Sequence, residues 1–427
     1  MKVLILTLGT RGDVQPFVAL ARELRNRGHH AVLAAPARFA DLVTGHGVAF
    51  ARVDDGPLRV LDSSSTVTEV AAGGVGAKFA LMRRMRAMVT AVLDDCWQVA
   101  STGVGAGADL IVHNGQIMAG QHIAEKLGVP AVLALPTPVY VPTRQFPWPG
   151  QQLPNRLPAW LNRSTYAGMK AVTVVFGRTV DQWRAGLGLP RRRGRHDPLR
   201  RADGQPAPVL HAVSPAVLPR PADWPPTAGV TGYWFMDTSA DATTAVPDPV
   251  AAALDRGDEP VVFVSFGSMA GPAPVATTQE VVQALRLAGV RGVLATGWGG
   301  LQEIPSAADV FATGDLPHDV VFPRMAAIVH HGGAGTTAAA IRAGRPQVIC
   351  PFVADQPFWG RRMQHLGVAP EPIDQQKLTA SGLAAAIRRA LDDPAMIAAA
   401  HRLGEQVRAE QGVAVAVDLL EQFAEER

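Results

Sequence analysis

The 427-residue sequence predicts an α/β fold made of two doubly wound halves. Short continuous apolar runs, typical of strands covered on both faces, alternate with segments of helical periodicity. The alternation occurs near the amino terminus and again after residue 249, with a proline-rich stretch between the two series. In doubly wound sheets ligands bind beyond the carboxyl ends of the strands. We therefore expect a binding site in a cleft between the two halves.

The first half begins with a strand–helix–strand unit. The apolar run Val3–Leu6 predicts a buried strand, and the turn Gly9–Asp13 leads into a helix that Gly28 would end. The run Ala31–Ala35 predicts the second strand. The pattern recurs in a predicted strand at 109–112, a helix at 117–127 and a strand at 129–135.

The second half repeats the alternation after a segment punctuated by prolines. Strands are predicted at 261–265, 293–295, 326–329 and 348–350, and the last 45 residues have the periodicity of amphipathic helices. The resulting boundaries are a first domain at 1–220, a linker at 221–248, a second domain at 249–405 and a C-terminal helix at 406–427.

Composition excludes several classes of protein. A formal charge of +3 is too small to predict a nucleic-acid partner. Two distant cysteines do not make a disulfide scaffold, so a cytoplasmic location is expected. The sequence contains no run of about 18 apolar residues, so no membrane span is predicted. The basic cluster Arg191–Arg195, with Arg200 and Arg201, has two interpretations: a solvated loop, or a peripheral contact with an anionic membrane.

The segment His330–Gln356 carries the strongest chemical signal. A predicted strand runs into the turn His330–Gly333, and a helix opens close after it. Glycines allow close backbone approach, and a helix N-terminus offers unpaired amide groups, so the turn suits an anion with several oxygens. An ordinary glycine-rich turn with Thr336 as helix N-cap is the alternative. Neighbouring histidines on a strand face opposite sides, so no metal site is predicted.

This segment resembles the nucleotide-sugar signature of family 1 glycosyltransferases of the GT-B type, and the match continues through Asp355–Gly360. Gly9–Pro16 resembles the first-loop signature of the branch that holds sterol glucosyltransferases and antibiotic-modifying enzymes of actinobacteria. Ser265–Ser268 resembles a phosphate-side loop of the same family. The resemblance covers essentially the whole chain. It implies two Rossmann-like domains facing across a cleft, with the C-terminal helix crossing back to the N-terminal domain.

The resemblance implies roles for the donor-side residues. His331 would hold the diphosphate, together with the Ser268 hydroxyl and the backbone amides of Gly333, Ala334, Gly335, Thr336 and Thr337. Asp355 and Gln356 would hydrogen-bond the transferred sugar. Leu316 and His318 lie where the family places the base-binding edge. Plant members carry a tryptophan there; this chain has none, which leaves His318 as the candidate for stacking on the base.

The implied reaction is an inverting transfer of a hexose from a nucleotide diphosphate sugar to a hydroxyl of a lipophilic acceptor, without a metal or other cofactor. UDP-glucose is the favoured donor and a dTDP-sugar the alternative. A general base must take the acceptor proton. Many members of the family have a histidine in the first loop, but this loop has Gly9, Thr10, Arg11 and Gly12 followed by Asp13. Asp13 is the candidate base, and a helix N-cap is its alternative role.

Apolar and aromatic residues of the first half are candidates for acceptor binding. They are Met82, Met85, Tyr140, Phe146 and Trp148. Together they suggest a sterol, terpenoid or polyketide, although ordinary packing is an equal interpretation for each. Two other functions stay open: a nucleotide-sugar epimerase or hydrolase, and a non-catalytic nucleotide-sugar binder. The presence of Asp13, His331 and Asp355 argues against a decayed site. The sequence does not decide the oligomeric state.

Overall fold

The computed structural model describes residues 1–56, 75–150, 157–191, 196–236, 246, 248–255, 258–267, 274–296, 301, 309–314 and 316–425. Side chains are described throughout these ranges except at 75–84, 170–173 and 249. The chain divides into two compact units. The first comprises Met1–Trp148, Asn155–Asp237 and Gln411–Arg427, and the second Pro149–Pro154 and Thr238–Glu410. Each contains one parallel sheet with helices, which confirms the predicted α/β class.

The first unit is built on a seven-stranded sheet in the order β3-β2-β1-β4-β5-β6-β7, and every pair in it is parallel. Its strands are β1 (Lys2–Leu6), β2 (His30–Pro36), β3 (Ala49–Val53), β4 (Leu110–His113), β5 (Ala131–Leu135), β6 (Val209–His211) and β7 (Ala228–Val230). Its helices are α1 (Arg11–Asn26), α2 (Ala40–Thr44), α3 (Val75–Ser101), α4 (Gly120–Leu127), α5 (Ala159–Thr165), α6 (Ala167–Gly186) and, from the end of the chain, α14 (Gly412–Glu425).

Strand β1 shows why the apolar runs are continuous. Val3 and Ile5 point to the face covered by α1 and α14, where they pack in one cluster with Phe17. Leu4 and Leu6 point to the opposite face, which α3, α4 and α6 cover. Since both faces of a parallel sheet are buried under helices, the four consecutive positions Val3–Leu6 are all apolar.

The second unit holds a five-stranded parallel sheet in the order β10-β9-β8-β11-β12. Its strands are β8 (Val261–Ser265), β9 (Arg291–Ala295), β10 (Val310–Thr313), β11 (Ala327–His330) and β12 (Gln347–Ile349). Its helices are α7 (Asp248–Asp255), α8 (Pro274–Ala288), α9 (His318–Val321), α10 (Ala334–Arg342), α11 (Gln356–His365), α12 (Ala380–Asp392) and α13 (Pro394–Ala409). Short 3-10 turns occur at Ala37–Phe39, Phe322–Arg324 and Gln375–Lys377.

Two boundaries differ from the predicted ones. Strand β7 and the buried residues Trp224 and Trp234 lie inside the predicted linker, yet they belong to the first unit. A three-residue strand among prolines is too short to show a pattern, so composition alone suggested a linker. At the other end, residues 406–410 stay with the second unit, and the return to the first begins at Gln411.

Helix α14 packs on α1 within the first unit. Val417 and Leu420 lie in the same core cluster as Phe17. Arg27, directly after α1, forms an ion pair with Asp418 and donates a 3.1 Å hydrogen bond to the carbonyl of Ala414. The end of the chain is therefore part of the first unit's core.

The expectations of no membrane span and of a basic cluster concern the protein surface. Among the described residues, every helix is too short or too polar to span a bilayer. In the basic cluster Arg191, Arg200 and Arg201 are exposed, while 192–195 lie outside the described residues. The exposed arginines fit both interpretations of the cluster.

In each unit the strand order reverses at one pair of central strands. The pair is β1 and β4 in the first unit, and β8 and β11 in the second. The carboxyl ends of such a pair open a crevice in which ligands bind. The first-loop residues follow β1, and the glycine-rich turn follows β11, so both sequence signatures lie at these positions.

Candidate functional site

The glycine-rich turn of the second unit leaves helix amides available. Gly332 has a φ of +88°, and Gly333 is the N-cap residue of α10. The helix therefore begins before Thr336, which is not the N-cap, and the Thr337 amide is already used in a 2.9 Å bond to the carbonyl of Gly333. Among the described residues, the amides of Ala334, Gly335 and Thr336 donate to no protein group. These three amides, without that of Thr337, are the ones at this helix end that are available to bind an anion.

His331 stands between two glycines at this turn. A Cβ added at Gly267 would lie 2.7 Å from its Cε1 atom, and one added at Gly333 would overlap Nε2. Burial lowers the pKa of His331 to about 4, and a backbone group of Ser265 offsets this only in part. No described group meets hydrogen-bond geometry at its Nδ1 atom. At neutral pH the ring is an uncharged donor beside the helix N-terminus.

Gly333→Ala is expected to weaken binding of a nucleoside diphosphate by about 10- to 100-fold, because the new methyl group displaces the His331 ring. Isothermal titration calorimetry with UDP and dTDP measures the change. Gly186→Ala in α6 is the control, since a Cβ there meets nothing within 4 Å. Equal affinities in the two variants would show that the ring position does not matter.

Asp355 and Gln356 lie beside the turn at the start of α11. Asp355 Oδ2 accepts a 2.8 Å hydrogen bond from the indole of Trp359, and burial raises the pKa of its carboxyl group. Gln356 Oε1 accepts from the amides of Phe352 and Val353 at 2.8 and 3.1 Å. Its amide nitrogen is therefore the part of the Gln356 side chain that can still serve a sugar hydroxyl as a donor. The preceding Ala354 has a φ of +55°, in the left-handed region.

The two residues of the predicted base-binding edge, Leu316 and His318, also pack against other side chains of the second unit. The Leu316 side chain is buried in the core cluster around Phe263, so only its backbone can contact a nucleotide. The His318 ring stacks on Phe322 with centroids 4.2 Å apart. One face of His318 is therefore covered, and a base would have to stack on the other. Ser268, predicted to bind the diphosphate, lies outside the described residues.

In the first unit, Asp13 occupies the first turn of α1. The N-cap is Thr10, and Asp13 is the third helical residue, so the predicted alternative of an Asp13 N-cap is wrong. Asp13 Oδ2 accepts from the Thr10 amide at 2.8 Å and from the Thr10 hydroxyl at 3.1 Å, which is half of a capping box. Gly9, with a φ of +139°, has no room for a Cβ, which would overlap the Asp13 side chain. The exposed Arg11 and Gly12 complete the loop.

Two buried residues outside the sequence signatures, Thr7 and Asn114, hold this loop. Thr7 Oγ1 donates to the carbonyl of Asp13 at 2.6 Å, and Asn114 Nδ2 donates to Thr7 Oγ1 at 3.0 Å. Asn114 also donates to the carbonyl of Leu8 at 2.7 Å. Asn114 follows β4, which pairs with β1, so only the sheet topology brings it to the loop. A lone asparagine more than 100 positions away in the sequence gives no local signal of this contact.

Tyr140 is the predicted acceptor residue that the structure places near Asp13. Its hydroxyl donates to the carbonyl of Gly115, where a Cβ would overlap the phenol ring. Burial raises the pKa of Tyr140, and the charge of Asp13 raises it further. A small residue at 115 therefore makes room for the phenol ring, which lies close enough to Asp13 to be affected by its charge.

Two of the other predicted acceptor residues, Trp148 and Phe146, make structural contacts. Trp148 packs against Gly168 of α6 and donates from its indole to the carbonyl of Val139 at 3.1 Å. Phe146 packs at the border of the cluster around Val141. Met85 is half-buried, and the Met82 side chain lies outside the described residues.

Buried neutral histidines make the stability of the fold depend on pH. Burial lowers the pKa of His113, His211 and His331 to about 4 and that of His330 to about 3. Unfolded histidine titrates near pH 6.5, so between that pH and about 4 the unfolded chain binds more protons than the folded one. The free energy of unfolding should therefore fall as the pH drops through this window.

Thermal unfolding at pH 7, 6, 5 and 4.5 checks this expectation, with the transition midpoint falling at each step. The lowered pKa values of Asp223 and Asp309 act below this window, since these groups start from 3.8. A midpoint that stays constant or rises from pH 6.5 to 4.5 would contradict burial of the four histidines as neutral rings.

Comparisons with known proteins show which family the chain resembles over both units. The family model described as glycosyltransferase family 28 N-terminal domain matches residues 3–143. The model described as erythromycin biosynthesis protein CIII-like, C-terminal domain, matches residues 295–422. The chain is 36% identical to an O-mycaminosyltylonolide 6-deoxyallosyltransferase of Streptomyces fradiae, over 100% of this chain and 98% of the relative.

A sterol 3-beta-glucosyltransferase of Emericella nidulans is 34% identical over 98% of the chain, which spans only 30% of that relative's length. A glycosyltransferase of Streptomyces sp. SF2575, solved in complex with thymidine diphosphate, shares the fold with a TM-score of 0.63. It is 21% identical, and the match covers 99% of both chains. The signatures, the two parallel-sheet units and the full-length relative place this chain in the family 1 glycosyltransferases of the GT-B type.

Proposed function

We propose that this protein transfers a hexose from a nucleotide diphosphate sugar to a hydroxyl group of a lipophilic acceptor, with inversion at the anomeric carbon and without a metal ion. The observation that supports this most is the arrangement after β11. Three helix amides that donate to no described protein group and the neutral His331 ring lie near the half-buried Asp355, whose neighbour Gln356 contacts Gly332. A site that binds an anion, next to a carboxyl group that can hydrogen-bond hydroxyls, suits a sugar diphosphate.

In the proposed reaction the acceptor oxygen attacks the anomeric carbon as the bond from that carbon to the diphosphate oxygen breaks. The electron pair of the broken bond stays on the diphosphate. The amides of Ala334, Gly335 and Thr336 and the His331 N–H donate to the oxygens on which this charge grows. These donors are fixed by the backbone and by the glycines around His331, so little reorganisation is needed as the charge develops.

The acceptor proton passes to Asp13. Its carboxylate is oriented by the two hydrogen bonds from Thr10, and its backbone is held by Thr7 and Asn114. A base must be fixed within hydrogen-bond reach of the proton it takes, and this network supplies such fixation. Attack opposite to the leaving diphosphate inverts the configuration of the sugar.

The acceptor is proposed to be a large hydrophobic alcohol, such as a sterol, a terpenoid or a polyketide. Tyr140 near Asp13 offers an aromatic surface for such a molecule. The names of the two relatives, one acting on a sterol and one on a tylonolide, support the same class of acceptor. UDP-glucose is the favoured donor. A dTDP-sugar is the second candidate, supported by the thymidine diphosphate bound in the structural neighbour.

A donor-by-acceptor panel tests the proposal. Purified protein is incubated with UDP-glucose or a dTDP-hexose, a mixture of hydrophobic alcohols, and EDTA. Mass spectrometry should detect a product heavier than one alcohol by one hexose residue. Nucleotide release without any acceptor would favour a hydrolase, an altered nucleotide sugar would favour an epimerase, and saturable binding with neither product would favour a non-catalytic binder.

A further inference from the structure

His330 is a fully buried polar residue in the middle of the second sheet. It has no exposed surface and is the last residue of β11, paired with Ser265 of β8 and Ile349 of β12. A buried imidazole is costly unless both of its nitrogens have hydrogen-bond partners. The site described above gives this side chain no contact with a ligand, so its conformation needs another explanation.

Both nitrogens of the His330 ring are occupied. The amide of Gly332 donates to Nδ1 at 3.0 Å, and Nε2 lies 2.8 Å from Gln347 Oε1. A backbone amide can only donate, so Nδ1 must be the acceptor and the proton must be on Nε2. Burial lowers the pKa of His330 to about 3, so the ring is neutral at physiological pH. The contacts thus define one tautomer.

Gln347 determines that tautomer from outside the turn. It is the first residue of β12, has no exposed surface, and donates from its amide nitrogen to the sulfur of Met363 at 3.7 Å. Its Oε1 atom therefore faces the His330 ring as an acceptor. Without this acceptor the Nε2 proton would be buried without a partner. The proton would then move to Nδ1, where it would face the N–H of Gly332 and the hydrogen bond between them would be lost.

The hydrogen bond to Gly332 fixes the peptide between His331 and Gly332. Gly332 adopts a φ of +88°, and a Cβ there would lie 2.8 Å from Ile349 Cγ2 and 3.0 Å from the Gln356 carbonyl oxygen. The peptide between His331 and Gly332 connects the Cα atom of His331 to the residues that begin α10. A rotation of the peptide would move the imidazole and the helix amides relative to each other.

We propose that His330 and Gln347 are a positioning pair for diphosphate binding: Gln347 fixes the tautomer of His330, and His330 fixes the turn that aims His331 and the α10 amides. The inference rests on the proposed function, because it assigns the diphosphate to that turn. Neither residue touches the ligand. Their effect passes through the Gly332 amide, and displacements of about 1 Å in such donors cost about 100-fold in rate.

The test compares Gln347→Met, His330→Asn and the double variant. Gln347→Met keeps the side-chain length but removes the acceptor. We expect it to weaken UDP and dTDP binding by about 10- to 100-fold, measured by calorimetry, while binding of uridine and thymidine stays within about 2-fold. In transfer assays kcat/KM for the donor should fall by at least the same factor.

His330→Asn provides the conservative rescue. An asparagine side chain accepts readily from the amide two residues on, and it has no tautomers. This variant should bind UDP within about 5-fold of wild type. Adding Gln347→Met to it should change the affinity by less than about 3-fold, since the substituted asparagine side chain has no tautomer for Gln347 to fix. The two substitutions are thus expected to be strongly non-additive.

Val348→Ala is the matched control, because it removes packing from the same strand without touching the polar pair. It should leave the ratio of diphosphate to nucleoside affinity unchanged. Wild-type affinity for UDP and dTDP in Gln347→Met, or additive effects in the double variant, would overturn the positioning role. Failure of the wild type itself to bind UDP or dTDP would instead overturn the proposed function.

Discussion

Replacing His331 with alanine is expected to lower kcat by about 100- to 1,000-fold and to weaken nucleoside diphosphate binding as well. The ring is an uncharged donor held between Gly267 and Gly333, next to three helix amides that have no hydrogen-bond partner within the described part of the chain. Removing one fixed donor to a developing oxyanion typically costs this much in rate. Because charge on the diphosphate grows during bond breaking, the rate should suffer more than the ground-state affinity. Steady-state kinetics together with calorimetry separate the two effects.

His211→Ala is the matched control for this variant. His211 is a fully buried histidine, and burial lowers its pKa to about 4, as for His331, but His211 lies in the first unit and stacks on Trp224. Its replacement should reduce thermal stability with little change in kcat at a temperature where the protein stays folded. An unchanged kcat in His331→Ala would mean that the helix amides alone stabilise the leaving group.

Replacing Asp13 with asparagine is expected to lower kcat by about 100- to 10,000-fold, the usual contribution of a general base. Asparagine has nearly the same shape, and its carbonyl oxygen can still accept from the amide of Thr10. Folding and UDP or dTDP binding should therefore stay close to wild type. Rates with saturating donor and acceptor measure the chemical step. Asp13→Ala should lose the same activity and in addition about 1 kcal/mol of stability with the capping box.

Asp393→Asn controls for the capping role, because Asp393 is an N-cap carboxylate of α13 that accepts from the amides of Ala395 and Met396. It should affect stability slightly and catalysis not at all. Full transfer activity in Asp13→Asn would eliminate Asp13 as the base. In that case the carboxylate would be left with the capping role that its contacts with Thr10 already show.

Much of the architecture could be predicted because strands buried on both faces leave a clear sequence signal. Val3–Leu6 and Val261–Ser265 are uninterrupted, and both form central strands. The predicted linker contains a strand that the sequence does not reveal, because β7 has only three residues and is defined by its pairing with β6. Short elements that depend on tertiary pairing leave no periodicity to detect.

The donor-side part of the candidate site could be proposed from the sequence because its residues lie in one segment of the chain. Gly332, Gly333 and Asp355 stand near one another in the sequence, and the structure brings the Gln356 backbone against Gly332. The supports were not predictable in the same way. Asn114 and Gln347 act through contacts that strand pairing creates, and an isolated polar residue in a sequence usually indicates no more than a satisfied hydrogen bond.

The proposed reaction, an inverting transfer of a hexose to a lipophilic hydroxyl, determines the anomeric configuration of the product. The most direct measurement is the proton NMR spectrum of the product formed from an α-linked donor, UDP-glucose or a dTDP-hexose, with the best alcohol of the acceptor panel. The proposed reaction should give a glycoside with the large anomeric coupling of a β-linked gluco-configured sugar. An α-linked product, or free sugar with no glycoside in the presence of every alcohol tested, would contradict it.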